Sequence, residues 1–213
     1  LLETPQWHRL KEAPTTTEQA AAFLLFAVVA AITPGPSNIM LTAAGGQSGV
    51  IGGLPCLFGV VSGMGLMMFL VPLGLGSLVL KYALLLKALR WGGAAVLLWL
   101  SWKIAMSSGP FEAVPERPPV GYAGALVFQW VNPKSWLVSA SAAGTFLGSA
   151  AGSPMTQAAS LGSLFLLAAF PACFVWLAFG ATIQRVLREP RRLRIFNVAM
   201  GALLALSIGL IVH

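Results

Sequence analysis

The sequence predicts an all-α membrane protein with six transmembrane helices, arranged as two inverted three-helix repeats whose first and fourth helices are broken. Three observations predict it. Composition sets the solvent: 57% of the 213 residues are hydrophobic and 9% charged, with a mean hydropathy of +0.83, against the ~25% charge of a water-soluble domain. Polar punctuation divides the chain into six apolar runs, each near the ~20 residues needed to cross hydrocarbon. The first and fourth runs contain the residues least welcome in a helix, Thr33-Pro34-Gly35-Pro36-Ser37-Asn38 and Asn132-Pro133-Lys134. Paired broken helices are the usual pointer to a transport site, because freed backbone at membrane depth must face protein or a watery cavity.

The elements follow in order. Residues 1–18 form a polar N-terminal arm with Arg9 and Lys11, lacking the charged, apolar and cleavage-site order of a signal peptide. The first span covers residues 19–44, introduced by Thr15 and Glu18 in a capping-box spacing. Uncharged residues 45–49 link it to the second span, 49–70, in which Gly49-x-x-x-Gly53 and Gly59-x-x-x-Gly63 permit close helix approach. That approach serves packing within the chain or between copies, so a homo-oligomer stays open. The third span, 84–104, ends on Trp99, Trp102 and Lys103, a combination suited to a membrane interface.

A linker loop over 107–120, rich in proline and glycine, separates the first three-helix repeat (19–106) from the second (121–213). The remaining spans cover 121–147, with Gly144-x-x-x-Gly148 near its end, then 158–183 and 195–212. Pro34 to Arg90 in one half parallels Pro133 to Arg194 in the other. Three crossings reverse the chain, so such a repeat must be of inverted topology. Pro55, Pro72 and Pro171 are candidate hinges or plain kinks.

Charge narrows the function. The six acids, Glu3, Glu12, Glu18, Glu112, Glu116 and Glu189, all fall in the arm or in loops, and there is no Asp. The net charge of +7 therefore reads as membrane orientation; no basic groove with interleaved aromatics points to nucleic acid. Basic residues number seven on one side against five on the other. The dense cluster from Arg185 to Arg194 favours the cytoplasm for its loop and for the linker, leaving both termini outside. Cys56 and Cys173 match no metal-ligand spacing and are packing residues. With His8 in the arm and His213 at the end, no span offers an imidazole or an acid-base pair. No metal, cofactor or enzymatic chemistry is implied. Lys134 beside Ser135 is no catalytic dyad, because helix neighbours point about 100° apart.

The breaks suggest a ligand. Pro34, Pro36 and Pro133 should strand the carbonyls of Ala30, Ile32 and Gln129, which would suit an ammonium. The half-helix that starts near Pro36 should aim the amides of Ser37, Asn38 and Ile39 at a carboxylate. Asn38, Gln129 and Asn132 can hydrogen-bond either group. Lys134 lies in the middle of a predicted span, and ionisable residues there are functional by default. In a continuous helix it would point away from Gln129, Asn132 and Trp136, but Pro133 breaks that register. The candidate substrate-binding residues are thus Thr33, Pro34, Gly35, Pro36, Ser37, Asn38, Gln129, Asn132, Pro133 and Lys134, and a small zwitterion matches them.

The run from Phe23 to Gln47, centred on Ile32-Thr33-Pro34-Gly35-Pro36-Ser37-Asn38, resembles the first span of the lysine exporter (LysE/RhtB) family, and Asn132-Pro133-Lys134 resembles its fourth-span signature. The resemblance covers residues 18–213. It implies export of amino acids or related small metabolites across the bacterial cytoplasmic (inner) membrane, driven by protons. Two departures stand out. Met64 follows Gly59-Val60-Val61-Ser62-Gly63 where many members carry an acid, and the loop after the first span lacks basic residues. No carboxylate remains in the predicted spans to carry a proton, and a neutral amino acid is the expected cargo. A small-solute channel or a non-transporting structural membrane protein is the alternative.

Overall fold

The computed structural model describes residues 16–106, 120–147, 153–186 and 189–212, and every regular element among them is helical. Thr15 of the expected capping box, most of the N-terminal arm, most of the linker loop and Gly148 lie outside the described residues. The helices are α1 (Thr16–Ile32), α2 (Pro36–Leu70), α3 (Gly76–Lys81), α4 (Ala83–Ala105), α5 (Tyr122–Val131), α6 (Pro133–Phe146), α7 (Pro154–Val186) and α8 (Pro190–Val212), with a π-helical turn over Val71–Leu75.

Helix α2 is two rods. Gly49 has φ 67° and ψ −176°, a left-handed value that glycine takes without steric cost. A methyl group on Gly53 would stand 3.5 Å from the carbonyl carbon of Ala44, whereas nine positions of straight helix span ~13 Å. The chain therefore doubles back at Gly49. Residues 45–48, expected as loop, stay helical, and a single residue carries the reversal. Pro72 sits in the π-helical turn beside Gly74 (φ 112°), while α7 runs through Pro171 without interruption.

Small residues set the helix contacts. Rod 50–70 lies along α5, where side chains on Gly59 and Gly63 would meet Ala125 Cβ and Leu126 O, each at 2.8 Å. Rod 36–48 crosses α7 at Gly45 and Gly180, close enough that a side chain on either would strike the other helix's backbone. Helix α4 pairs with α8, where the Ser101 hydroxyl donates to the Gly201 carbonyl. Inside lie Phe23, Met40, Leu41, Leu57, Phe165 and Leu177, all fully buried.

The outer face is equally apolar. On α7, Leu167 and Val175 are 71% and 55% exposed although their neighbours Phe165 and Ala169 are core. Ile51, Leu137 and Leu206 also face outward. A helix that is apolar on both faces belongs in hydrocarbon. Two stretches, Pro36–Val79 and Pro154–Ile183, are long and apolar enough to cross a membrane, and the first of them contains the Gly49 reversal.

Candidate functional site

Proline places the first break. Helix α1 closes on Thr33, whose N–H and hydroxyl both donate to the Val29 carbonyl at 3.0 and 2.5 Å. Helix resumes at Pro36, a first helical position where no N–H is needed. Between them Gly35 is extended, and its carbonyl accepts the amides of Asn38 and Ile39, both at 3.0 Å. The Lys134 stem lies over Gly35: a methyl group there would stand 2.8 Å from Lys134 Cδ.

The second break is a single residue. Asn132 leaves the helical region at φ −83°, ψ 113° and caps α6 by accepting the Lys134 N–H on its side-chain oxygen at 3.1 Å. Its own N–H donates to Gln129 O at 3.3 Å, and its carbonyl accepts the amides of Ser135 and Trp136 at 3.1 and 3.4 Å. Every polar group of Asn132 is thereby employed close to home, except the amide NH₂.

That NH₂ joins the two breaks. Asn132 Nδ2 donates to Ser37 Oγ at 2.8 Å, and Ser37 Oγ donates to Gln129 Oε1 at 2.9 Å. Ser135 Oγ donates to the same Gln129 oxygen at 2.9 Å, while Gln129 Nε2 donates to Ala125 O at 3.1 Å. Lys134 Nζ crosses to donate to the Thr33 carbonyl. Asn38, Gln129, Asn132 and Ser135 are all buried, so this is a fully paired polar network in an apolar interior.

The sequence misjudges how the freed groups are used. The Ile32 carbonyl is not open, because the Trp176 indole of α7 donates to it at 3.1 Å. Gln129 O is taken by the Asn132 amide, and Asn38 Nδ2 holds the carbonyls of Ala31 and Thr33 at 3.0 and 2.8 Å. The amides of Asn38 and Ile39 turn back to Gly35 instead of pointing at a ligand. Lys134, which helical periodicity would direct away, reaches the first break because Pro133 restarts the helix on a new axis. Ala30 remains at the cavity wall.

A cavity of about 30 Å³ lies between the breaks, room for a water but far below the ~300 Å³ at which small-molecule sites begin. One wall carries Ser37, Asn38, Asn132, Lys134 and Ser135; the other is apolar, with Val60, Val61, Met64, Phe165, Ala169 and Cys173. Thr33, Pro34, Pro36, Gln129 and Pro133 build the wall's frame without lining it. Ser135 and Trp176 are the participants that sequence reasoning missed. Ser135 is signalled only by its place beside Lys134, and Trp176 by nothing local. Among the described residues no group of three His, Cys, Asp or Glu could hold a metal ion.

Residues 28–212 match the family model described as LysE type translocator. The cysteine/O-acetylserine efflux protein of Salmonella paratyphi A is 32% identical over 86% of this chain and 92% of its own length. The protein of the same name from Escherichia coli O1:K1 is 30% identical over the same shares. That from Klebsiella pneumoniae is 35% identical over 60% of this chain and 64% of its own. No solved structure matches.

Proposed function

The chain belongs to the LysE translocator family and is a transporter, not an enzyme; we propose that it exports small neutral amino acids of the cysteine and O-acetylserine kind across the bacterial inner membrane. The observation that carries the reading is the Lys134 ammonium bonded to the Thr33 carbonyl across the two breaks. A tethered ammonium on a backbone carbonyl occupies the place that a substrate's ammonium requires. Cargo entering the cavity displaces Lys134 from Thr33, and the released lysine pairs with the cargo's carboxylate. Thr33, Pro34, Gly35, Pro36, Ser37, Asn38, Gln129, Asn132, Pro133 and Lys134 then form the binding region, with the prolines and Gly35 shaping backbone. The apolar wall of Val60, Met64 and Phe165 suits a short side chain. Because the cavity has room for no more than a water, this arrangement is closed on the proposed reading, and access requires the breaks to part.

The proposed architecture is six spans in two inverted repeats, 19–106 and 121–213. The packing supports it: α1 runs alongside α7 as rod 50–70 runs alongside α5, and α4 pairs with α8, so exchanging the halves preserves these pairings. Lys103 places its ammonium 4.7 Å from the Trp99 ring centre at the end of α4, a cation–aromatic anchor suited to an interface. With the basic start of α8, Arg191, Arg192 and Arg194, on the cytoplasmic side, both termini face outward.

Cells loaded with cysteine- or serine-containing dipeptides test the reading. Expression of the protein should accelerate efflux of cysteine and O-acetylserine, an uncoupler should abolish the uphill part, and Lys134→Ala should lower the rate at least tenfold. No amino acid leaving faster than from control cells sinks the assignment. Downhill flux indifferent to the uncoupler makes the protein a channel instead.

A further inference from the structure

A second and larger cavity lies at the end of the bundle where α1 and α7 begin and α6 ends. Its volume is about 210 Å³, and its lining mixes Gln19, Gln157 and Ser160 with Phe23, Phe146 and Leu161. The same three helices, α1, α6 and α7, also wall the cavity between the breaks. Phe23 precedes the inner-cavity residue Ala30 by seven positions, and Phe146 follows Val138 by eight. Each interval is ~10–12 Å of helix. On α7 the two linings adjoin at Leu164 and Phe165, so the three helices flank both cavities, and the packed path between them is a shaft.

Aromatic rings fill the shaft. Phe23 and Phe146 meet edge to face with centroids 5.2 Å apart, and Phe26 closes the third side at 6.1 Å from Phe23 and 5.6 Å from Phe146. Phe23 is 1% exposed. Between this plug and the inner cavity lies Ser139, four positions after the cavity residue Ser135 and on the same buried stripe of α6. Its hydroxyl is fully buried and has no hydrogen-bond partner among the described residues, an arrangement that costs free energy unless something visits it. A dry packing contact would carry alanine there, as at Ala142 one turn on.

We propose that Gln19, Gln157 and Ser160 form an outer station for a small polar solute, that Phe23, Phe26 and Phe146 gate it from the inner cavity, and that Ser139 is the hydrogen-bonding rung between them. This rests on the inner cavity being the cargo site. The station offers amides and a hydroxyl with no charge, so it takes neutral zwitterions weakly and releases them. Rotation of Phe146, at the last residue of α6, opens the shaft without disturbing the helix ladder.

Cys173 lines the inner cavity and serves as the reporter. In a Cys56→Ala background it is the only thiol. A membrane-impermeant methanethiosulfonate is applied to right-side-out and inside-out vesicles. Phe146→Ala and Phe23→Ala should each speed Cys173 labelling at least tenfold from one side only, with Phe146→Leu intermediate and the elution profile unchanged. With both native cysteines replaced by alanine, Leu164→Cys, at an apolar position of the outer cavity, should label quickly from that side, and millimolar O-acetylserine should slow it while glycerol does not. Equal labelling rates in well-folded parent and phenylalanine variants overturn the gate, and absence of protection at Leu164→Cys overturns the station. The chemistry is read without export. A gate confirmed in a protein that exports no amino acid leaves the shaft standing and removes only the cargo, whereas intact export with flat labelling removes the shaft.

Discussion

The two breaks look alike in sequence and differ in construction. The second takes up one residue, and Asn132 caps its own helix with groups at hand. The first takes up three, Thr33, Pro34 and Gly35, and exposes the carbonyls of Ala31, Ile32 and Thr33 to donors from elsewhere: Asn38 from the next rod, Trp176 from α7 and Lys134 from α6. The second break is therefore a self-supporting pedestal, and the first is held shut by distant donors that can be withdrawn. On the proposed mechanism, the motion for transport falls to the first. A ligand that outcompetes Lys134 or Asn38 for a carbonyl loosens it, whereas nothing of similar size unseats the Asn132 cap.

Aspartate at each asparagine separates the two most sharply. Asn38→Asp keeps shape but gives the carbonyls of Ala31 and Thr33 an acceptor in place of a donor. Each carbonyl left without a donor costs roughly 1–3 kcal/mol, so the thermal midpoint in detergent should fall steeply and export should cease. Asn132→Asp retains the capping oxygen for the Lys134 amide, and aspartate caps about as well as asparagine. It loses the donation to Ser37 and buries a charge beside Lys134, which lines the same cavity, so it should cost less than Asn38→Asp, which strands two carbonyls as well. Equal damage from the two substitutions would erase the distinction between a break that caps itself and one that depends on remote donors.

Glycine substitutions extend the comparison to the helices that follow each break. Rod 36–48, after the first, crosses α7 where Gly180 meets the Thr42 backbone. Backbone cannot step aside as a flexible side chain can, so Gly180→Ala should destabilise by about 1–3 kcal/mol and shift the first break. Gly144 of α6, after the second, has nothing within 4 Å of an added methyl. Gly144→Ala should be neutral or stabilise by up to ~1 kcal/mol, with export unchanged. Thermal midpoints of the pair, measured side by side, check this.

What the sequence made legible were the places, and what it missed were the partners. Proline's absent N–H fixes helix ends at Ile32 and Val131 and restarts at Pro36 and Pro133, because that constraint is local. The rule that polar and ionisable side chains inside a span are seldom idle pointed to Asn38, Gln129, Asn132 and Lys134, and the structure brings all four to the two breaks. The rule could not say whom they serve, since the Trp176 donation to Ile32 spans 144 positions and the Asn132 link to Ser37 spans 95. Reading the freed carbonyls as vacant overlooked that an apolar interior without cargo penalises any unpaired group, so the protein supplies stand-ins. Gly49 shows the converse. Five uncharged residues read as a loop, but a left-handed glycine reverses the chain alone, and helix persists to Ser48.

Trp176→Phe is the mildest way to withdraw a single donor from the first break. Phenylalanine keeps most of the ring's packing, including an edge-on contact with Phe179 at 6.2 Å between centroids, and removes only the indole N–H from the Ile32 carbonyl. A hydrogen bond between helices in a membrane is worth ~0.6 kcal/mol, too little for a large change in thermal midpoint. The effect should surface as local opening, because amide exchange reads the free energy of the segment that opens instead of the whole fold. Peptides covering residues 31–39 should exchange about threefold faster in Trp176→Phe than in the parent, while peptides covering 129–136 keep their rate. In the parent itself the first segment should already exchange faster than the second. If the two segments respond together, the breaks open as one body, and the lysine that bridges them is a hinge pin instead of a latch.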